Sequence, residues 1–200
     1  MIKAVIFDYG GVMKPETHWA EDIALAYKVS AKIVKKKIKP FINSLQKGIT
    51  KEDEFWKKFS LALKKPIPKN SRNLWRKCVE KNFHIYPEMR RFVKKIRSQR
   101  IKTAVLSNSI ESHVKVIEKH AGYKNFDIVV LSSRVGLRKP ERKIFLLAVK
   151  RLKVKPEECI FIDDRDEFLK PAKKLGIRTV LAKNPKQVIH DVSKILKMEI

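Results

Sequence analysis

Carboxylates and small polar residues stand at the ends of short apolar runs in this chain. Lys3-Ala4-Val5-Ile6-Phe7 leads into Asp8 and then Gly10-Gly11, and Lys102-Thr103-Ala104-Val105-Leu106 leads into Ser107-Asn108-Ser109. Cys159-Ile160-Phe161-Ile162 leads into Asp163-Asp164. A carboxylate with glycines behind it is open to a ligand, and the backbone there can turn sharply. Three carboxylates brought together repel one another unless a cation stands between them. Mg2+ takes oxygen ligands and often joins one or two carboxylates to a substrate phosphate. Asp8, Asp163 and Asp164 are therefore candidate metal ligands, provided the fold brings them together.

The runs that carry these residues are nearly continuous in apolar character, as expected for central parallel strands covered on both faces. Two more, at 127–131 and 178–182, bring the number to five. Segments of helical period lie between them, at 87–98, 113–120, 141–152 and 167–175, the last ending on Gly176, and Asn184-Pro185 opens a final helix. Alternating strands and helices predict an α/β fold with a Rossmann-like parallel sheet of about five strands and right-handed crossovers. Ligands in such sheets sit beyond the carboxyl ends of the strands, where Asp8, Ser107, Asp163 and Asp164 fall. Residues 14–85 break the rhythm, with helical segments at 20–29, 31–37, 51–63 and 72–79. Thr50 is expected to cap the third, and Pro66-Ile67-Pro68 to form an extended linker. The expected division is an α/β core from 1–13 and 86–200, with an all-helical cap of 14–85 inserted over the carboxyl edge of the sheet.

At 200 residues, 44% apolar and with only 6 Gly and 9 Pro, the chain suits one domain carrying an insertion, and disordered or collagen-like readings are excluded. No apolar run approaches the roughly 18 to 20 residues of a membrane span. The start, MIKAVIFDYGG, lacks the basic and small-residue features of a signal peptide. Cys78 and Cys159 make neither a disulfide framework nor a zinc site. A cytoplasmic protein is expected. The net charge of +26 should attract polyanions in a salt-dependent way. That charge is spread over both halves, and no RNP, KH or zinc-finger pattern accompanies it. A small phosphorylated substrate is thus the first expected partner, nucleic acid the lesser one, and monomer and dimer are both open.

Four strings, in order, resemble the signatures of the haloacid dehalogenase (HAD) superfamily, in the branch with a helical cap after the first strand. They are Val5-Ile6-Phe7-Asp8-Tyr9-Gly10-Gly11-Val12, Leu106-Ser107-Asn108, Gly136-Leu137-Arg138-Lys139-Pro140 and Phe161-Ile162-Asp163-Asp164-Arg165. The stretch from Gly48-Ile49-Thr50 to Glu54-Phe55-Trp56 is also similar to the cap of phosphatase-like members. The resemblance implies a Mg2+-dependent phosphatase in which Asp8 attacks phosphorus to form an aspartyl-phosphate. It assigns Ser107, Asn108 and Lys139 to the phosphate, with Lys139 neutralising charge. Asp8, the Gly10 carbonyl, Asp163 and Asp164 are assigned to the metal.

Two positions depart from the family pattern. Most family phosphatases carry a second aspartate two residues after the nucleophile, as general acid and base, where this chain has Gly10. His18 and Glu16 are candidate replacements, and Gly10→Asp is expected to restore an acid. Phe168 stands where the fourth signature commonly carries Asn or Asp, and weaker orientation of Lys139 is expected from it. The alternatives are a catalytically weak HAD-fold protein that binds a polyanion such as RNA and, less favoured, a 2-haloacid dehalogenase. Against the latter, a carbon electrophile needs a halide cradle rather than paired carboxylates. Trp19, Phe55, Trp56 and Trp75 are candidate pocket walls, although helical spacing favours core. Arg134 and Arg138 read as surface residues or as supports behind the site, and Lys35-Lys36-Lys37 and the basic series from Arg90 to Arg100 read as solvated faces.

Overall fold

The computed structural model describes residues 1–81 and 83–199. Five parallel strands, β1 (Ala4–Phe7), β2 (Lys102–Ser107), β3 (Ile128–Leu131), β4 (Cys159–Asp163) and β5 (Arg178–Leu181), form one sheet in the order β3-β2-β1-β4-β5. All five coincide with the apolar runs of the sequence. Phe7 pairs with Val105 on one side and with Ile162 on the other. The Asp8 amide donates to the Ile162 carbonyl at 2.8 Å, so Asp8 leaves β1 beside the end of β4. The central strand thus delivers its carboxylate next to the Asp163-Asp164 pair.

Alternation within each strand explains why the runs are apolar throughout. Val5, Phe7, Val105 and Ile162 enter one core, and Ala4, Ile6, Ala104 and Phe161 enter another on the opposite face. The helices α5 (Pro87–Ser98) and α10 (Pro185–Leu196) cover the first face, and α8 (Arg142–Leu152) and α9 (Asp166–Lys174) the second. Asn184 caps α10 by accepting from the Gln187 amide, as its place before Pro185 predicts. A short helix not legible in the sequence, α7 (Ser132–Val135), follows β3 and ends on Gly136, whose φ of 70° suits a left-handed cap. The helix before β3 is α6 (Glu111–Lys119).

The segment between β1 and α5 holds α1 (Trp19–Tyr27), α2 (Ala31–Gln46), α3 (Glu52–Leu63) and α4 (Leu74–Glu80) around an apolar core of its own, including Ile23, Tyr27, Phe55, Trp56 and Phe59. Two local predictions needed correction here. The second helix continues through Pro40 instead of stopping at Lys37. Val34, Ile38 and Leu45 keep one face buried, while Pro40 and Lys36 are exposed, so the carbonyl that loses its partner faces water. The residue that caps α3 is Lys51 rather than Thr50, and no side chain caps it; Glu52, Asp53 and Glu54 in its first turn favour the helix dipole instead.

Contacts hold this helical segment to the sheet. Glu52 accepts from the Ser112 amide at 3.2 Å, supplying from α3 an acceptor for the first turn of α6, whose own N-cap, Ile110, offers none. Gly48, at φ 69°, passes so close to α7 that a Cβ would lie 2.2 Å from the Ser133 carbonyl oxygen. Trp75 on α4 meets the His113 ring on α6 edge to face, at 5.6 Å between centroids. Among the described residues no helix is long and apolar enough to cross a membrane.

Burial, and secondarily the nearby Lys14 ammonium, holds the His113 pKa down to about 3. The imidazole is therefore neutral in the folded protein and gains a proton in the unfolded chain as pH falls below its ordinary value. Stability due to this residue is present above about pH 6.5 and is lost progressively towards pH 3. Between pH 7 and pH 5 it should cost about 2 kcal/mol. Urea unfolding of His113→Gln should show a shallower acid slope by about that amount, and parallel slopes would refute the buried, neutral assignment.

Candidate active site

Lys139 organises the carboxyl edge of the sheet. Its Nζ lies 2.8 Å from Asp8 Oδ1 and 2.6 Å from Asp163 Oδ2, with the lysine 1% and Asp163 0% exposed. Burial opposes the ammonium charge, but the two carboxylates outweigh it and hold the Lys139 pKa above its ordinary value. The side chain also lies over Phe168 and Phe161, with Nζ 5.0 and 5.5 Å from the ring centroids. Phe168 therefore packs beneath the lysine.

Asn108 has a role that its place in a Ser-Asn pair did not reveal. Its Oδ1 accepts from the Lys139 amide at 2.8 Å and its Nδ2 donates to the Lys139 carbonyl at 2.9 Å. The side chain thus clamps the lysine's backbone. Ser132 fixes the same loop: its Oγ accepts from the Ser109 amide at 2.9 Å and donates to the Ser109 carbonyl at 3.1 Å. Ser107 and Asn108 line the same cavity as Asp8, Gly10, Lys139 and Asp164.

Asp8, Asp163 and Asp164 meet with ligand oxygens within 4.8 Å of one another. Asp163 is already engaged through both oxygens, since Oδ1 accepts from the Arg165 amide at 2.9 Å while Oδ2 holds Lys139. Asp164 reaches the cluster because position 11 is glycine, at φ 75°; a Cβ there would lie 2.4 Å from Asp164 Oδ2. Burial first, then the Asp8 carboxylate, raises the pKa of Asp164 and pushes that of Asp163 up to about 7. Glu16 is raised by burial and then by Asp164 and Asp8. Carboxylates outnumber the ammonium that serves them, and hard oxygen donors short of positive charge suit Mg2+.

The two candidate replacements for the missing acid part company. Glu16 lines the cavity, and its Oε2 lies 3.3 Å from where a Cβ on Gly10 would stand. His18 is exposed at the start of α1 and is not among the residues lining the cavity. Lys14, which the sequence did not single out, is buried in the wall, its Nζ donating to the Pro15 carbonyl and Thr17 Oγ1, each at 2.8 Å. The cavity measures about 390 Å3, and α2 and the indoles of Trp19 and Trp75 close its far side. Phe55 and Trp56 are core. Arg134 is a surface residue paired with Glu111 and Glu118. Arg138 is half-buried and lines the cavity, which favours the second of its two readings.

The sequence profile of the haloacid dehalogenase-like hydrolases matches residues 2–176. The chain is similar to acyl-CoA dehydrogenase family member 10 of Mus musculus, at 33% identity over 97% of this chain but only 19% of that protein. It spans less than a fifth of the first curated relatives it matches. It is also similar to a glyceraldehyde 3-phosphate phosphatase of Methanocaldococcus jannaschii, at 33% identity over 48% of this chain and 42% of that protein. A HAD family enzyme of Bacteroides thetaiotaomicron, crystallised with magnesium and inorganic phosphate, shares the fold at a TM-score of 0.74 and 23% identity, covering 92% of this chain and 96% of its own.

Removing the central cation should expose the cost of this arrangement. In EDTA at pH 7, Lys139→Met should lose roughly 3 kcal/mol or more of unfolding free energy, because two buried carboxylates are left without a partner. The deficit should narrow as pH falls and those carboxylates protonate. Chemical denaturation reads both, and a loss below about 1 kcal/mol would mean that the lysine is not what holds the cluster.

Proposed function

Because the chain belongs to the haloacid dehalogenase-like hydrolases, we propose that it is a Mg2+-dependent phosphatase that acts on a small phosphorylated metabolite through an aspartyl-phosphate on Asp8. The observation that carries this reading is the Asp8 carboxylate, held by Lys139 on the floor of a cavity beside Asp164. Phosphatases among the relatives support it as well. In this reading residues 14–85 form the cap that closes the cavity and selects the leaving group.

Lys139 and the Ser107–Asn108 turn hold the phosphoryl oxygens, and an Asp8 oxygen attacks phosphorus as the bond to the leaving oxygen breaks. Glu16 gives its proton to that oxygen, from the space a side chain at position 10 would otherwise fill. Water then attacks phosphorus and gives a proton back to Glu16, as the bond from phosphorus to the Asp8 oxygen breaks, releasing phosphate and restoring the Asp8 carboxylate. Mg2+, when bound by Asp8, Asp164 and the Gly10 carbonyl, supplies the positive charge that lets a carboxylate approach a phosphate dianion. Asp163 acts chiefly on Lys139, which sets its role apart from that of Asp164.

Hydrolysis of p-nitrophenyl phosphate with Mg2+ and with excess EDTA tests the reading. Turnover should need the metal, and Asp8→Asn should reduce it to background while the fold survives. Full activity in EDTA, or in Asp8→Asn, would sink it. Asp164→Ala should raise the Mg2+ concentration needed for half-maximal activity, or abolish activity.

The proton source has a separate signature. Glu16→Gln should lower kcat/KM for an alkyl phosphate by roughly 10²-fold, with much less effect on the nitrophenyl ester, whose leaving group needs no proton. Gly10→Asp should bring no gain, because its side chain would compete with Glu16 for the same space. An equal loss on both esters in Glu16→Gln would remove Glu16 from the proton transfer.

A further inference from the structure

Several cations around the cavity make no ion pair with a carboxylate. Lys139 is committed to Asp8 and Asp163, Arg165 to Glu167, and Lys35 meets Glu21 at 3.3 Å. Lys14, Lys39 and Arg138 also line the cavity, and among the described residues none has a carboxylate within ion-pair distance. Lys14 is buried, and Arg138 is half-buried with its Nε donating to Gln46 Oε1 at 3.1 Å. Burial lowers the pKa of both, and the more distant carboxylates, Glu16 and Asp8 for Lys14 and Glu141 and Glu167 for Arg138, offset it only in part. Lys39 is exposed and its charge is carried by water, but Lys14 and Arg138 are held in the wall without an ion-pair partner, which is costly unless an anion is to join them.

The fold says where that anion would lie. The phosphate end of the cavity is the strand edge with Asp8, Ser107 and Lys139, so a leaving group departs towards α2. Along α2 the cavity-lining residues Lys35, Ile38, Lys39, Ile42 and Gln46 recur at helical spacing. They make a stripe that starts in two lysines and ends at the Gln46–Arg138 hydrogen bond. No Asp or Glu occurs anywhere in α2. A neutral leaving group would satisfy Ile38 and Ile42 but would leave the cations unmet.

We infer that the cavity takes phosphate esters whose leaving group carries a second anionic group, which Lys39 and Arg138 bind while Lys14 supplies charge from the wall. This rests on the phosphatase reading and narrows it to a substrate class: small, doubly anionic esters that fit about 390 Å3. Lys39 and Arg138 are binding residues in this account, and their effect should fall mainly on KM.

Two esters of equal length, 3-phosphoglycerate and glycerol 3-phosphate, differ in the second charge and supply the test, with p-nitrophenyl phosphate as the check on phosphatase activity. Wild-type kcat/KM should favour the carboxylated ester about fivefold or more, and Lys39→Met should reduce that ratio by about fivefold, the equivalent of about 1 kcal/mol. The exposed Lys36, on the same helix but off the cavity, controls for the lost charge, and Lys36→Met should keep the wild-type ratio. A wild-type ratio near one, or the same ratio in Lys39→Met, would overturn the inference. Turnover of the nitrophenyl ester but of neither three-carbon ester would overturn it too. If even the nitrophenyl ester is untouched in Mg2+, the phosphatase reading fails, and the substrate class falls with it.

Discussion

Too much negative charge in too little space is the constraint on which the rest of this molecule turns. Asp8, Asp163 and Asp164 meet at the carboxyl edge of the sheet, and Glu16 raises the count of carboxylates around the cavity to four. One buried ammonium, Lys139, bonds two of them, and Lys14, also buried in the wall, bonds none. The upward pressure on the pKa values of Asp163, Asp164 and Glu16 is the electrostatic consequence. Such a cluster is poor engineering for stability alone, because buried charges are costly to desolvate. It is well suited to receive a divalent cation, whose charge offsets the carboxylates.

Much of the fold serves to hold that cluster. The central place of β1 sets Asp8 beside the end of β4, and two apolar cores fix the sheet from either side. Asn108 transmits the position of β2 to Lys139 through paired backbone hydrogen bonds. Gly11 gives Asp164 its room. On the other side, the helical segment meets the sheet through Glu52, Gly48 and Trp75 and supplies much of the cavity wall, which faces the leaving group in the proposed reading. The chemistry and its selectivity thus come from different parts of the chain.

The five strands and the carboxylate trio were legible because each apolar run ends in a residue that does not belong in a core. The path of α2 beyond Lys37 was not legible, since only tertiary burial of Ile38 and Leu45 makes Pro40 tolerable there. Phe168 looked like a loss by residue type, yet its ring lies under Lys139. The jobs of Asn108 and Asp163 depend on which atoms meet across loops, and neither periodicity nor motif order carries that information. Arg138 and Lys14 were hidden among 47 basic residues, where composition predicts solvent and only the cavity wall marks them out. Glu16 was a candidate from its place in the chain, and the space beside Gly10 separates it from His18.

The central claim is that Asp8 becomes covalently phosphorylated, and trapping that species tests it most directly. The protein would be mixed with p-nitrophenyl phosphate and Mg2+, quenched in acid within the first turnovers, digested, and analysed by mass spectrometry. The account predicts the added mass of one phosphoryl group on the peptide that contains Asp8, absent when EDTA replaces the metal. Product formation with no phosphorylated peptide, or with the label on another residue, would contradict it.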